Sequence, residues 1–341
     1  MKRSCLAVLA VVLITACQDS PSSDGDDTGT ETGEPGDGDG DPGDGDGDGD
    51  GDGDVPEIPD GLFAAIPDIQ SNKLALGPDH VFVMAAVDFF DDPRVLRVSK
   101  TDATIETVFT LTDTIYNVMV SSDQWLYAGN ASNLMRSSFA GDSWPTIATF
   151  AGVGAGIDQI LIGSSHVFVR KGDSLHRVDP DGANPTLLLS GDLNNVQTNG
   201  TRLYGALEGN IVEINPQSGA VSQVFEGTTG YYPGASALYF RLDGALQTSS
   251  LDGGPLTEFV SAADLGGTAI NYADDDEHLY WVINNAVGDN SVRRVPIEGG
   301  AVEILASFPN SQDPRMLALD DTHAWWLITT GEELGIWRAT K

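Results

Sequence analysis

The segment Ile304–Trp326, ILASFPNSQDPRMLALDDTHAWW, closely matches a segment near the other end of the chain, Leu62–Phe82, LFAAIPDIQSNKLALGPDHVF. Both copies predict a short apolar strand, a polar loop containing proline and a second strand reading Leu-Ala-Leu. A tight turn, a histidine and a third strand around an aromatic residue follow. Because the end of the chain repeats its beginning, we expect an array of repeats that closes into a ring.

The aromatic residue of that third strand recurs at intervals of 35 to 45 residues, as Phe82, Tyr127, Phe168, Tyr204, Tyr239, Tyr280 and Trp325. Each recurrence is followed by a strand that often contains Arg and often ends in a polar turn. Four antiparallel strands in roughly 40–50 residues are typical of a β-propeller blade. Since no helical period is sustained in residues 61–341, we predict an all-β fold, a seven-bladed β-propeller of four-stranded blades. Rings of six or eight blades are the alternatives.

The seventh unit ends at Lys341 without a fourth strand, whereas a strand is predicted at Gly61–Ile66, just before the first complete unit. A ring whose ends are not joined leaves two sheet edges open. We therefore predict that Gly61–Ile66 pairs with Ile336–Lys341 and closes the ring.

Two short stretches, LYW at 279–281 and VRRVPIEGG at 292–300, resemble the YWTD and NHL groups of β-propellers. Those groups combine a Leu-Tyr-Trp strand with Ile-x-Arg and Asp-Gly. Here Val282 and Ile283 follow Trp281 in place of the Thr-Asp continuation. The resemblance implies the propeller architecture and carries no function with it.

Residues 1–17 have the pattern of an export signal. Lys2 and Arg3 precede the apolar run Leu6–Ala16, which is shorter than the roughly 20 residues that a membrane-spanning helix needs. The run ends Leu-Ile-Thr-Ala-Cys at 13–17, which resembles a bacterial lipobox and implies that Cys17 is lipidated and becomes the mature N-terminus. By the same resemblance, Gln18 implies the outer membrane, with exposure at the cell surface as one option. A plain signal peptide cleaved nearby is the alternative.

Residues 18–60 are predicted to be a disordered acidic tether, since they contain 17 Asp or Glu and no Lys or Arg and have little apolar surface to bury. Within it, Asp46, Asp48, Asp50, Gly51 and Glu57 fit the spacing of an EF-hand calcium loop. Any Gly-Asp repeat meets most of that pattern, and no amphipathic helix flanks it. We expect only weak Ca²⁺ association with this linker and predict no other cofactor.

The chain has 51 Asp or Glu against 17 Lys or Arg, a net charge of −34, and residues 61–341 alone have 34 against 15, a net charge of −19. Such a charge argues against nucleic acid as a partner and against docking on an anionic membrane. The only contact with the membrane would be the lipid on Cys17. With Cys5 lost in the signal, the folded domain has no disulfide to stabilise it. We expect a monomer in the cell envelope.

The predicted connections between the second and third strands of a blade are long in blades 6, 7 and 1, which are neighbours in a closed ring. This sector includes the ligand-binding candidates Phe89, Phe90, Asp91, Asp92, Glu332 and Glu333, with Arg315 beside it. Loops on a rigid frame often hold binding sites. The alternative is that loop length varies without function and that one Phe only caps its own blade.

Residues at the start of the innermost strands should line the mouth of the central channel. By alignment of the repeats they are Lys73, Asn117, Gln159, Asn195, Tyr231, Tyr232 and Arg315. Amides with two cations suit a small polar or anionic ligand. The alternative is that they only hold water in the channel.

No sequence pattern identifies a reaction. Four histidines, His80, His166, His278 and His323, occupy one repeat position, but equivalent positions spread around a ring instead of converging on one metal ion. We therefore predict a non-catalytic binding or scaffolding module for a protein or carbohydrate. The alternative is a glycan-directed hydrolase or lyase that uses loop carboxylates such as Asp91–Asp92, Asp274–Asp276 or Glu332–Glu333.

Overall fold

The computed structural model describes residues 60–67, 69, 73–85, 94–110, 118–151, 156–228, 230–285 and 288–341. The predicted signal peptide (1–17) and tether, apart from Asp60, lie outside these ranges. No helix in the described part of the chain is long and apolar enough to cross a membrane.

Seven antiparallel sheets of four strands each make up the described fold, as the repeats predict. Blade 1 contains β2 (Lys73–Leu76), β3 (His80–Ala85), β4 (Arg94–Ser99) and β5 (Ile105–Thr110). Blade 2 contains β6 (Val118–Ser121), β7 (Leu126–Gly129), β8 (Asn133–Ser137) and β9 (Thr146–Thr149). Blade 3 contains β10 (Ile157–Ile162), β11 (Val167–Lys171), β12 (Ser174–Val178) and β13 (Thr186–Ser190).

The remaining blades repeat this arrangement. Blade 4 contains β14 (Leu193–Thr198), β15 (Leu203–Leu207), β16 (Asn210–Ile214) and β17 (Val221–Phe225). Blade 5 contains β18 (Tyr231–Pro233), β19 (Ala237–Leu242), β20 (Ala245–Ser250) and β21 (Thr257–Val260), and the short helix α1 (Ala262–Leu265) follows it. Blade 6 contains β22 (Ala269–Asp274), β23 (His278–Ile283), β24 (Asn290–Pro296) and β25 (Glu303–Phe308). Blade 7 contains β26 (Pro314–Leu319), β27 (His323–Ile328), β28 (Gly335–Thr340) and β1 (Gly61–Ala65).

The ring closes as predicted, because β1 completes blade 7 by pairing antiparallel with β28. Gly61 lies opposite Arg338 and Ala65 lies opposite Gly335. The Phe63 ring packs edge-on against Trp325 with centroids 5.0 Å apart. The first strand therefore adds both backbone pairing and buried aromatic surface to the last blade.

The apolar core lies between neighbouring blades. One cluster joins Phe63, Trp325 and Leu327 of blade 7 to Val81 and Val83 of blade 1. Other clusters join blades 2 and 3, 5 and 6, and 6 and 7 in the same way. Each blade thus buries its faces only by stacking on the next, which is why closure bears on the stability of the whole ring.

The recurring Arg of the third strand of a blade is structural. Arg97, Arg136 and Arg177 donate to carbonyl oxygens in the following blade, at 2.7, 2.6 and 3.1 Å. Turn glycines sit close to the preceding blade: a Cβ on Gly182 would lie 2.2 Å from the Ile147 oxygen, and one on Gly219 would lie 2.0 Å from the Leu188 oxygen. Both glycines also have positive φ, which other residues adopt at a cost.

Candidate functional site

The antiparallel blades give the ring two faces, which we name by their connections. The turn face carries the turns between the first and second strands of each blade, such as Gly77–His80 and Asp320–His323, and those between the third and fourth. The loop face carries the connections between second and third strands, such as residues 329–334 of blade 7, and those from one blade to the next. Of the described candidates, Glu332 and Glu333 lie on the loop face, and Lys73, Gln159 and Arg315 lie at the loop-face ends of their strands. Tyr231 and Tyr232 were expected there too, but β18 has only three residues and leads directly into the turn at Gly234, so they lie towards the turn face.

The described channel-mouth candidates lie on the innermost strands and bond to neighbouring blades. Gln159 Nε2 donates to the Val196 carbonyl at 2.6 Å, and Tyr231, which is buried, donates to the Asn195 carbonyl at 2.8 Å. Lys73 begins β2, where burial lowers its pKa. Asn117 lies outside the described residues. The bonds of Gln159 and Tyr231 thus join adjacent blades.

Tyr232 and Arg315 are held by carboxylates close to the innermost strands. Tyr232 donates to Asp274 at 2.6 Å, and its pKa is raised well above the usual value by burial and then by that carboxylate, so it remains a proton donor. The Arg315 Nε donates to Asp313 at 2.6 Å, and Asp313 also accepts a hydrogen bond from Asn284. The Arg315 side chain is still 45% exposed, so it stays accessible on the loop face.

The sector of long loops is described only in part. Phe89, Phe90, Asp91 and Asp92 lie outside the described residues. Glu332 and Glu333 are exposed, and their backbone carbonyls accept from Gln312 Nε2 at 2.7 Å and Trp337 Nε1 at 3.2 Å. The blade 7 loop is therefore held to its own blade while its carboxylates point to solvent.

A cavity of about 680 Å³ opens on the turn face, which the sequence did not single out. Its apolar wall includes Leu76, Ile162 and Leu319, each at or near the end of an innermost strand of blades 1, 3 and 7. The cavity therefore lies at the turn-face ends of the innermost strands of blades 7, 1 and 3. Its other lining residues include Pro78, Lys100, Ser121, Ser122, Asp123, Phe139, Asp320, Asp321 and Thr322.

Asp320 is the most heavily bonded group of this cavity. Its Oδ2 accepts from Lys100 Nζ at 2.8 Å and from Trp325 Nε1 at 2.8 Å, while its Oδ1 accepts the amide hydrogens of Thr322 and His323. Burial favours the neutral acid, but the Lys100 bond and the two amides outweigh it and lower the pKa of Asp320 well below its usual value. The carboxylate therefore stays ionised and paired.

We call the ion pair between Lys100 and Asp320 a clasp, because it joins two neighbouring blades. A second clasp lies one blade away. Lys341, which follows blade 7, bonds Asp275 of blade 6 at 2.9 Å, as Lys100 of blade 1 bonds Asp320 of blade 7. Burial again opposes ionisation of Asp275, but the bonds from Lys341 and from the amides of His278 and Glu277 lower its pKa to about 2. Both pairs stabilise contacts between blades, and of the two only the Lys100–Asp320 pair lines the cavity.

A second cavity, of about 430 Å³, adjoins the first and shares Ser122, Asp123 and Ile162 with it. Its wall includes Trp125, Tyr127 and His166, and the polar residues Gln124, Ser164 and Thr201 surround it. We call the two adjoining cavities the turn-face groove. The groove extends from blade 7 across blades 1 to 4 and combines one half-buried indole with hydroxyl, amide and carboxylate groups.

The backbone of each recurring histidine closes the turn between the first two strands of its own blade. The carbonyls of His80, His166, His278 and His323 accept the amide hydrogen of the first turn residue in their own blades. Among the described residues, no three His, Cys, Asp or Glu side chains are grouped closely enough to hold a metal ion.

Sequence reasoning missed Lys100, Asp320 and Trp125. The signal for the clasp was present, since Lys100 and Lys341 end equivalent strands and Asp275 and Asp320 begin equivalent turns. Trp125 was marked by its departure from the repeat, because histidine fills its position in four of the seven blades.

No protein-family model and no curated protein sequence matches the chain. A crystal structure of the computationally designed Ika8 protein is similar, with a TM-score of 0.54 and 10% identity over 83% of this chain and 100% of that one. An oligogalacturonate lyase in complex with manganese has a TM-score of 0.60 and 13% identity over 77% of this chain and 86% of that one. At such low identity, these likenesses show that the chain shares the β-propeller fold.

Proposed function

We propose that this protein is an exported lipoprotein that presents a non-catalytic β-propeller to a protein or carbohydrate partner at the cell envelope. Cys17 would carry the lipid, most simply in the outer membrane, and residues 18–60 would separate the propeller from the membrane. The protein would act as a monomer, with at most weak Ca²⁺ association along the tether.

One observation carries the proposal of binding: a cavity of about 680 Å³ with mixed apolar and polar walls opens on the turn face. Specific ligand sites are concave, largely apolar and have a few fixed polar groups. Lys100 and Asp320 provide fixed polar groups here, since each holds the other at 2.8 Å. A preformed cavity avoids part of the ordering cost of binding.

The same geometry argues against acid–base chemistry at Asp320. A general acid needs a carboxyl group whose pKa is raised towards neutral pH, whereas the pKa of Asp320 is lowered. The runner-up function is a glycan-directed hydrolase or lyase that uses Asp91, Asp92, Glu332 or Glu333. Its support is the exposure of Glu332 and Glu333 and the fold shared with an oligogalacturonate lyase.

Blocking the cavity tests the site. Asp321→Trp places a bulky ring at the cavity wall, while Asp276→Trp makes the same change at the equivalent turn of blade 6, outside the cavity. On an array of glycans and peptides scored for retention and product release, wild type and Asp276→Trp should retain a ligand and Asp321→Trp should lose it. Equal retention by both variants would contradict the site, and product release would favour the enzyme.

Replacing the lipidated residue tests the anchor. Cys17→Ala should move the protein from the membrane to the soluble fraction, because the proposed attachment is the lipid alone. Cys5→Ala, within the signal, is the matched control and should leave the protein on the membrane. Membrane retention of Cys17→Ala after a high-salt wash would disprove the lipid anchor.

A further inference from the structure

Trp125 differs from the residues at the same position in the other blades. In all seven blades the turn between the first and second strands is closed by the same backbone bond, for example Ser122 N to Trp125 O at 2.8 Å and Gly163 N to His166 O at 2.9 Å. The residues at the position of Trp125 are His80, His166, Arg202, Ala237, His278 and His323. The turn therefore accepts small, basic and aromatic side chains, and its backbone does not require Trp.

The indole of Trp125 is held in place from one side. The Arg136 guanidinium carbon lies 4.0 Å from the ring centroid, and Arg136 Nη1 is itself fixed by the Pro180 carbonyl of blade 3 at 2.6 Å. Trp125 lines the second cavity and Arg136 does not. Arg136 thus covers one side of the indole, Trp125 also packs against the core cluster of blades 2 and 3, and the part of the ring that lines the cavity is a rigid apolar platform.

The groups around this platform are suited to hydroxyl ligands. Gln124, Ser164 and Thr201 line the same cavity and are exposed, and they can each donate and accept hydrogen bonds. Exposed Asp123, shared with the larger cavity, adds an acceptor. A flat apolar surface beside several donors and acceptors matches a sugar ring, which has an apolar C–H face and hydroxyls at its edge.

The charges of the groove select among sugars. Asp123, Asp320 and Asp321 line the larger cavity, and its described cation Lys100 is engaged by Asp320. An anionic saccharide would meet this carboxylate excess without a cation to pair with. The acidic excess of residues 61–341, with 34 Asp or Glu against 15 Lys or Arg, adds to that repulsion.

We propose that the turn-face groove binds a neutral oligosaccharide, with one sugar ring stacked on Trp125 and the chain extending past Asp123 into the larger cavity. The adjoining cavities, about 430 and 680 Å³, provide room for more than one sugar ring. This inference rests on the proposed binding function and specifies its ligand class.

The test measures binding of the full-length protein in mild detergent to four probes by calorimetry and tryptophan fluorescence. Chitohexaose and cellohexaose are neutral, the galacturonic acid hexamer is anionic, and decalysine is a cationic peptide. We expect a neutral hexasaccharide to bind with Kd of about 1 mM or tighter and the anionic hexamer to bind at least about tenfold more weakly.

Two substitutions at the platform keep the test independent of folding. Trp125→His and Trp125→Ala install residues that other blades carry at this turn, so the turn should be kept. Because Trp125 also packs against the core cluster of blades 2 and 3, the melting temperature should fall by a few degrees without loss of folding, and it is measured for each variant. Both should weaken neutral hexasaccharide binding by about tenfold or more, since aromatic anchors dominate such interfaces. His278→Ala is the matched control, because it occupies the same turn position in blade 6 outside the groove.

The outcomes separate this inference from the proposed function. Unchanged binding by Trp125→Ala, or binding of decalysine or the anionic hexamer in preference to both neutral probes, would overturn the neutral oligosaccharide and leave a binding module. Failure of all four probes would also overturn it. If the wild-type protein also retains no ligand on the array of glycans and peptides, that result would count against the binding function itself.

Discussion

The two faces of the ring differ in where their sequence varies and where their described cavities open. On the loop face, the predicted connections vary in length and the candidate Phe89–Phe90 pair belongs to the longest of them. On the turn face, seven turns share one backbone bond, yet the cavities of about 680 and 430 Å³ open there. Variation in loop length and the presence of a cavity are therefore separate signals. On a uniform face, one changed side chain such as Trp125 is the more informative signal.

The largest expected effect comes from breaking the ring, on which both faces depend. Phe63→Ala removes an aromatic side chain of β1 that is 5% exposed and packs on Trp325. The substitution should therefore lower the free energy of unfolding by about 3–5 kcal/mol. Deleting residues 61–66 should lower it further. Denaturant unfolding measures both. Leu187→Ala, which alters a side chain that is 55% exposed, is the control. A stability of the deletion variant equal to wild type would contradict closure.

A smaller effect should follow from opening the clasp on the turn face. In Asp320→Asn, a neutral carboxamide replaces the carboxylate to which Lys100 Nζ and Trp325 Nε1 donate. Its NH₂ group cannot accept these bonds, and its oxygen accepts them more weakly. Loss of charge-assisted bonds should lower the free energy of unfolding by about 1.5–3 kcal/mol. Asp321→Asn, at the exposed neighbouring position, should change it by less than about 0.5 kcal/mol. Equal effects of the two variants would show that the clasp contributes nothing.

The second clasp should make stability depend on pH. The folded-state pKa of Asp275 is lowered to about 2, below the unfolded value of about 3.9. The unfolded state therefore binds the proton first as pH falls, and the stabilisation present at neutral pH is lost between about pH 4 and pH 2. Asp275→Asn should flatten this part of a melting-temperature profile, whereas Asp276→Asn should not. An identical profile for Asp275→Asn and wild type would contradict the pairing.

The smallest expected effect is on the loop face. Replacing Phe89 and Phe90 by Ser should change hexasaccharide binding by less than about twofold, because the proposed site lies on the turn face. Calorimetry of the double variant beside Trp125→Ala measures the difference. Lost binding with an unchanged melting temperature would move the site to the loop face. A large fall in melting temperature would instead show that the Phe pair belongs to the core.

The repeat by itself determined the fold. Seven aromatic positions, alternating strands and the strand at Gly61–Ile66 predicted the blade number and the closure, and the structure confirms both. These features are readable because strand period and turn chemistry are local properties of a sequence. The same regularity argued against a shared metal site for the four recurring histidines, since equivalent positions are spread around the ring.

Only the tertiary structure decided where the turn-face groove lies and what surrounds it. Lys100 meets Asp320 across 220 positions in the chain, and Trp125 becomes a platform only because Arg136 is fixed by Pro180 of the next blade. Such contacts depend on how neighbouring blades stack, which no local pattern specifies. A cavity is the space left where packed elements diverge, and its position follows from that packing.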